Sequence, residues 1–200
     1  MKRSAKRANL WEDHYSRQAK NERFPARSVY KLQEIQKKYN LIKKGDTVLD
    51  LGCAPGSWLL YAAGLTGSTG RVIGIDQVPV SIDVPSYVTL YTGDILLMEE
   101  DFIKSLGIGV NVVLSDMAPS TTGNKLVDNT RSFNLCCRAL SISQMMLTTG
   151  GFFVCKIFQG EDFKTFVDLV RPVFNNFKIF KPKSSRKASK EVYIIGLQKK

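Results

Sequence analysis

The sequence is poor in the residues that build metal centres. It has one histidine, His14, and four cysteines, Cys53, Cys136, Cys137 and Cys155, with no Cys-x-x-Cys pair. A zinc site needs clustered thiolate or imidazole ligands, so no metal is expected. The cysteines read as free thiols, with Cys155 inside a buried strand and Cys137 packed as a small hydrophobe. Long apolar runs are missing too: no stretch approaches the roughly 20 residues that span a bilayer, so no membrane partner is expected. The first ten residues are basic and lack the apolar segment of a secretory signal, and Glu12 and Asp13 follow at once. The expected compartment is the cytoplasm, with an organelle matrix as the alternative. Acidic residues are scarce relative to basic ones, 18 against 29, for a net charge of +11. A solvated basic surface is the bland explanation. A polyanionic partner is the sharper one, because lysine and arginine gain affinity by releasing condensed counterions, but charge alone does not separate RNA, DNA and anionic lipid.

What the sequence does contain is enough apolar material for a core, 44% of residues, which excludes a disordered chain. Residues 1–24 carry Lys2, Arg3, Lys6, Arg7, Arg17, Lys20 and Arg23 among few apolar residues, and read as a mobile or loosely packed basic arm. From Ser28 onward Val29, Leu32, Ile35 and Gln36 follow helical spacing, which predicts a helix over 27–39. Short apolar runs then recur at 47–51, 72–75, 88–91, 110–115, 151–157, 177–180 and 192–197, with helix candidates at 57–66, 131–148 and 161–174. Continuous Val/Ile/Leu runs suit strands buried on both faces of a parallel sheet. Their alternation with helices predicts one doubly wound α/β domain over residues 25–200, expected as a monomer. The last two runs are joined only by the Pro-, Ser- and Lys-rich segment 181–191, too short for a parallel crossover. The final strand is therefore expected to run antiparallel.

The strongest local signal is the turn Val48-Leu49-Asp50-Leu51-Gly52-Cys53-Ala54-Pro55-Gly56-Ser57-Trp58, a strand, a tight turn and a helix start. Ligands of open α/β sheets bind beyond the carboxyl ends of strands, and Gly52 and Gly56 let the backbone approach one closely. A dinucleotide fingerprint would read G-x-G-x-x-G, and here Cys53, Ala54 and Pro55 interrupt it. Asp50 in the turn would repel a phosphate, and a carboxylate there matches a ligand carrying an ammonium and a sulfonium. Pro55 next to Gly56 strengthens the signal. The second strand ends at Asp76, about twenty residues on, where an acid accepts hydrogen bonds from ribose hydroxyls. The third ends at Gly93-Asp94, placed for an adenine amino group. Each acid alone is an ordinary strand-end residue; together they describe an adenosyl ligand without phosphate.

The fourth strand ends in Ser115-Asp116-Met117-Ala118-Pro119. The Pro-Pro-aromatic sequence that holds a planar base amine is absent, so a flat amine is not the obvious target. The fifth strand places Lys156 inside an apolar run, and a buried lysine is uncommon unless paired. Asp116 ends the neighbouring strand, and Glu191 opens the last strand, which would lie beside the fifth. A merely stabilising Lys–carboxylate pair is the structural alternative.

Taken in order, Arg27-Ser28-Val29-Tyr30-Lys31-Leu32, the 50–58 turn, 115–119, 154–160 and the stretch from Ser184-Ser185-Arg186 to Glu191-Val192-Tyr193-Ile194 resemble the FtsJ family of ribosomal RNA 2′-O-methyltransferases, over residues 26–197. The resemblance implies a Rossmann-like seven-stranded, mostly parallel sheet with an antiparallel final strand, and S-adenosylmethionine as cofactor. It implies a catalytic tetrad at Lys31, Asp116, Lys156 and Glu191, and donor contacts at Gly56, Trp58, Asp76, Asp94 and Asp116. It also implies methyl transfer to a ribose 2′-hydroxyl, in particular of a uridine of large-subunit ribosomal RNA, free or within a ribosomal subunit. Cys53 and Ser57 stand where family members often carry Ala and Gly, both small substitutions.

The implied reaction is in-line displacement at a sulfonium methyl by the 2′-oxygen. Lys156 either takes the hydroxyl proton as a neutral amine or holds the oxygen as charge develops, since burial and the flanking acids act on it in opposite directions. Asp116 would orient Lys156, while Lys31 and Glu191 would position the ribose. The basic residues Lys181, Lys183, Arg186, Lys187 and Lys190 could join Arg27 and the N-terminal arm to hold RNA phosphates. Transfer RNA or an mRNA cap is an alternative acceptor. A non-catalytic RNA-binding ribosome-assembly factor is an alternative class, and a nicotinamide oxidoreductase is disfavoured by the interrupted glycines.

Overall fold

The computed structural model describes residues 14–107, 109–119, 123–186 and 188–200. Of the basic residues given to RNA above, Lys2, Arg3, Lys6, Arg7 and Lys187 lie outside this set. The chain runs α1 (His14–Asn21), α2 (Val29–Tyr39), β1 (Thr47–Leu51), α3 (Ser57–Thr66), β2 (Arg71–Asp76), β3 (Val88–Thr92), α4 (Glu100–Ser105), β4 (Val110–Ser115), α5 (Lys125–Met146), β5 (Leu147–Phe158), α6 (Phe163–Val170), β6 (Phe174–Phe180) and β7 (Glu191–Lys199).

The strands form one seven-stranded sheet in the order β3-β2-β1-β4-β5-β7-β6. Pairs from β3 to β5 are parallel, and β7 is antiparallel to both β5 and β6. Each central strand divides its side chains between two cores, as the two-residue period of a strand requires. Leu49, Ile73, Val113 and Phe153 pack on one face with Ala139 and Ile142 of α5 and Phe166 of α6. Val48, Val72, Val112 and Val154 pack on the other with Leu32 and Ile35 of α2 and Leu59 and Ala62 of α3.

Two expectations need correction. The basic arm is not loose throughout: residues 14–21 form α1, anchored by buried Ala19 and by Tyr15, whose ring lies 5.3 Å from that of Tyr30. Two such contacts are too few to give a helical period in the sequence. The helix expected at 131–148 starts earlier, at Lys125, because the Asn124 side chain caps it by accepting the Leu126 N–H at 3.1 Å. The short α4, held by buried Ile103, went unread in the sequence. Among the described residues no helix is long and apolar enough to cross a membrane. All four cysteines are free, and all but half-buried Cys137 are buried.

Strand order reverses between β1 and β4, and at such a point adjacent loops leave in opposite directions and open a crevice. The site forms there.

Candidate active site

At the end of β1, Gly52 turns the chain with φ +76°, and its N–H donates to the Ile75 carbonyl at 2.8 Å. A Cβ on Gly52 would lie 2.6 Å from Met117 Cγ and 3.1 Å from Met117 Cα, so the turn and the segment after β4 touch without room for a methyl group. Beyond them opens a cavity of about 660 Å³. Gly52, Pro55, Asp76, Asp94 and Asp116 line it, with apolar walls from Ile75, Val78, Ile95, Leu96, Met117 and Leu135. Asp76 is fixed by two backbone amides: Oδ2 accepts from Ala54 at 3.0 Å and Oδ1 from Val78 at 2.8 Å. Asp94 Oδ1 accepts the Leu96 N–H at 2.9 Å. The loop carrying these contacts is pinned from α5, where Arg138 Nε donates to the Ile95 carbonyl at 2.9 Å and a terminal nitrogen donates to that of Met98.

Three residues assigned to the donor are not among those that line this cavity. Asp50 is fully buried within β1, and neither carboxylate oxygen has a hydrogen-bond partner. Burial pushes its pKa well above the usual carboxylate range, and the charges of Asp116 and Asp76 push the same way, so its surroundings favour the neutral acid over an anion facing a ligand. Trp58 is buried, with its indole N–H donating to the Ser28 carbonyl at 2.8 Å and its ring 5.7 Å from that of Tyr193. Its side chain braces α2 against β7 and does not line the cavity. Gly56, at φ +109°, packs against Ile82, where an added Cβ would come within 2.3 Å of Cδ1. Gly56 thus shapes the turn from behind.

The four tetrad residues converge in two pairs. Lys156 Nζ lies 3.0 Å from Asp116 Oδ1 and donates to the Asp116 main-chain carbonyl at 2.5 Å. Lys31 Nζ lies 2.7 Å from Glu191 Oε1. Sheet register explains the approach. Ser115 pairs with Cys155, which sets Asp116 beside Lys156; Lys156 pairs with Tyr193, and Glu191, two residues earlier on β7, shares its face.

Tyr193 links the two pairs and had no role in the sequence reading. Its hydroxyl donates to Asp116 Oδ1 at 2.7 Å, and Lys31 Nζ sits 6.0 Å from its ring centre. Burial and the neighbouring Asp116 raise its phenol pKa well above the ordinary value, which keeps it a neutral donor. The alternation Glu191-x-Tyr193 on a strand paired with Lys156 was the available signal. On the outer side of Lys31 and Glu191 a second cavity, about 460 Å³, is lined by Arg27, Ser28, Arg186, Ala188 and Ser189 as well. Of the basic residues expected to meet RNA, Arg27 and Arg186 meet here. Arg17, Lys20, Arg23, Lys183 and Lys190 are exposed, and exposed Lys181 donates to the Ser189 carbonyl at 2.8 Å.

The model of the FtsJ-like methyltransferases matches residues 24–199. The chain belongs to that family. It is 54% identical over 198 residues to the ribosomal RNA large subunit methyltransferase E of Desulforapulum autotrophicum, covering 99% of this chain and 98% of the relative. A protein of the same name from Desulfosudis oleivorans is 50% identical over 200 residues, covering 100% and 97%. Among solved structures, a ribosomal RNA methyltransferase from Plasmodium falciparum superposes with a TM-score of 0.76 at 26% identity, covering 88% of this chain and 98% of that one.

Proposed function

We propose that this chain transfers a methyl group from S-adenosylmethionine to a ribose 2′-hydroxyl of large-subunit ribosomal RNA, in the cytoplasm and without a membrane partner. One observation carries the reading: Asp116 lines the large cavity and is also the partner of Lys156, so donor pocket and candidate base share a single carboxylate.

The cavity fits the donor by its chemistry. Asp76, Asp94 and Asp116 outnumber the one basic residue among the described lining residues, Arg131, and leave the cavity acidic, which suits a cationic adenosyl compound, while the walls of Ile95, Leu96 and Leu135 suit a purine. Asp76 would take the ribose hydroxyls, Asp94 the adenine amine, and Asp116 would lie toward the positive end. When bound, S-adenosylmethionine supplies an electrophilic methyl on a cationic sulfur.

The remaining work falls to the chain. A sugar hydroxyl is a weak nucleophile until its proton leaves, and Lys156 is the group placed to take that proton as a neutral amine or, as an ammonium, to hold the oxygen while charge develops on it. In its ammonium form Lys156 has two acceptors already in position, the Asp116 carbonyl and carboxylate, which hold its Nζ in place. An ammonium has three donors; Asp116 takes two, which leaves one for the 2′-oxygen. Lys31 and Glu191, each side chain only 13% exposed, frame the entrance for the ribose. Arg27 and Arg186 stand beside them for backbone phosphates, which position a strand without reading its sequence.

The test is Lys156→Ala, assayed with labelled donor and ribosomal RNA beside calorimetry of donor binding. Transfer is expected to fall about 10²–10⁴-fold, the usual contribution of a positioned base, with donor affinity kept. Wild-type transfer by the variant would remove Lys156 from the reaction, and loss of donor binding alone would make it a structural lysine.

A further inference from the structure

The turn between β6 and β7, residues 182–185, holds no member of the tetrad and lines neither cavity, yet α2 and the residues before it grip it from two sides. Glu34 lies one helical turn beyond Lys31. Its Oε2 accepts the Lys183 N–H at 2.7 Å and its Oε1 the Ser184 N–H at 2.8 Å. Arg27, just before α2, donates from Nη2 to the Ser184 carbonyl. The turn closes on itself through Ser185 N–H to the Pro182 carbonyl at 3.1 Å.

Ser185 is the outcome of this grip. It is 7% exposed, and its hydroxyl donates to Glu191 Oε1 at 2.8 Å. That is the oxygen Lys31 Nζ reaches at 2.7 Å. A glutamate held by one flexible lysine can swing about its own torsions. A second donor, fixed to a clamped backbone, removes that freedom and sets where the Lys31 ammonium stands. The clamp needs a carboxylate: two adjacent N–H groups converge on position 34, and an amide offers only one acceptor oxygen to them.

We propose that Glu34 and Ser185 are positioning residues of the methyl-transfer site: Glu34 fixes the 182–185 turn, and through it Ser185 fixes Glu191 and Lys31. The proposal rests on the reading of Lys31 and Glu191 given above. Glu34 touches neither pocket and acts only through the turn.

The experiment uses the full chain with in vitro transcribed ribosomal RNA and measures single-turnover methyl transfer at saturating donor and RNA, donor affinity by calorimetry, and Tm. Ser185→Ala is expected to slow transfer about tenfold, the consequence of one lost hydrogen bond to a charged group, with donor affinity within about twofold of wild type. Ser185→Thr, which keeps the hydroxyl, restores the rate to within about threefold. Glu34→Gln slows transfer in the same direction while keeping the side-chain volume, and the Glu34→Gln/Ser185→Ala double variant is no slower than the slower single, because both act on one path. A wild-type rate for Ser185→Ala, no rescue by Thr, or multiplying effects in the double variant would overturn the proposal. Lys156→Ala serves as the control. If it transfers normally the underlying reading fails, whereas a dead Lys156→Ala beside a normal Ser185→Ala sinks the relay alone.

Discussion

Tyr193→Phe isolates one atom. The hydroxyl lies in a fully buried residue and donates to Asp116 Oδ1 at 2.7 Å, the oxygen that Lys156 Nζ approaches at 3.0 Å. Phenylalanine keeps the ring, and with it the packing on Trp58 and the approach of Lys31. No cavity opens beyond the volume of one oxygen, so the loss is that of a hydrogen bond to a charged acceptor, about 1.5–3 kcal/mol. For a chain of this length each kcal/mol corresponds to roughly 2–4 °C, which gives a Tm lower by about 3–12 °C. The rate follows from the same bond. Asp116 loses its rigid donor and is left with Lys156 alone, so its carboxylate can turn with the lysine. If about half of the lost energy is expressed in the transition state, transfer slows roughly 3–10-fold, at a factor of ten per 1.4 kcal/mol. The assay is initial-rate methyl transfer at saturating donor and RNA, run well below the lowered Tm. An unchanged rate with a lowered Tm would show that the phenol serves the fold only. An unchanged Tm and rate together would refute the linkage between the two ion pairs.

Two further outcomes are expected. Asp50 has its pKa raised in the folded state by burial, so it stays protonated where the unfolded chain ionises. Its stabilising contribution is complete below the ordinary carboxylate pKa and declines as pH rises through the folded value. Asp50→Asn should therefore gain stability over wild type in urea unfolding as pH climbs from about 4 toward 8, and parallel curves for the two proteins would contradict the buried neutral acid. RNA affinity should fall with log salt at a slope of about −3 to −4 if about five phosphates of a single strand are held, and a flat response would remove the Arg27–Arg186 groove from RNA binding.

The sheet was readable because its central strands are buried on both faces and so appear as apolar runs; β1 matches its expected limits of Thr47 and Leu51. Asp76, Asp94 and Asp116 were readable as cavity residues because Asp76 and Asp116 follow directly on such a run and Asp94 closes the Thr92-Gly93 turn after one. Asp50 misled for the same reason in reverse. It lies within the run and not at its end, and a carboxylate inside a strand faces core, whatever ligand waits two residues further on. The direction of the Trp58 side chain was not readable, because a residue's number says nothing about which way an indole turns; here the Ser28 carbonyl decides it. The link between Glu34 and the turn carrying Ser185 left no signal. The grip of Glu34 on the Ser184 amide joins residues 150 apart in sequence, and it depends on the path of a turn and on backbone amides that every sequence possesses.

The antiparallel β7 does more than close the sheet. In the parallel strands the carboxyl ends gather at one edge, and the donor acids gather there with them. A seventh strand of the same direction would bring its first residue to the opposite edge, about 25 Å away across nine residues. Running the other way, β7 begins where β4 and β5 end, and Glu191 pairs with Phe158 while Tyr193 pairs with Lys156. The reversal thus delivers the first residues of the last strand to the edge that already holds Asp116 and Lys156. The same reversal brings the preceding loop, with Ser185 and Arg186, over that edge and against α2. Strand polarity, set by a connection too short for a crossover, is what joins an acidic donor cavity to a basic groove.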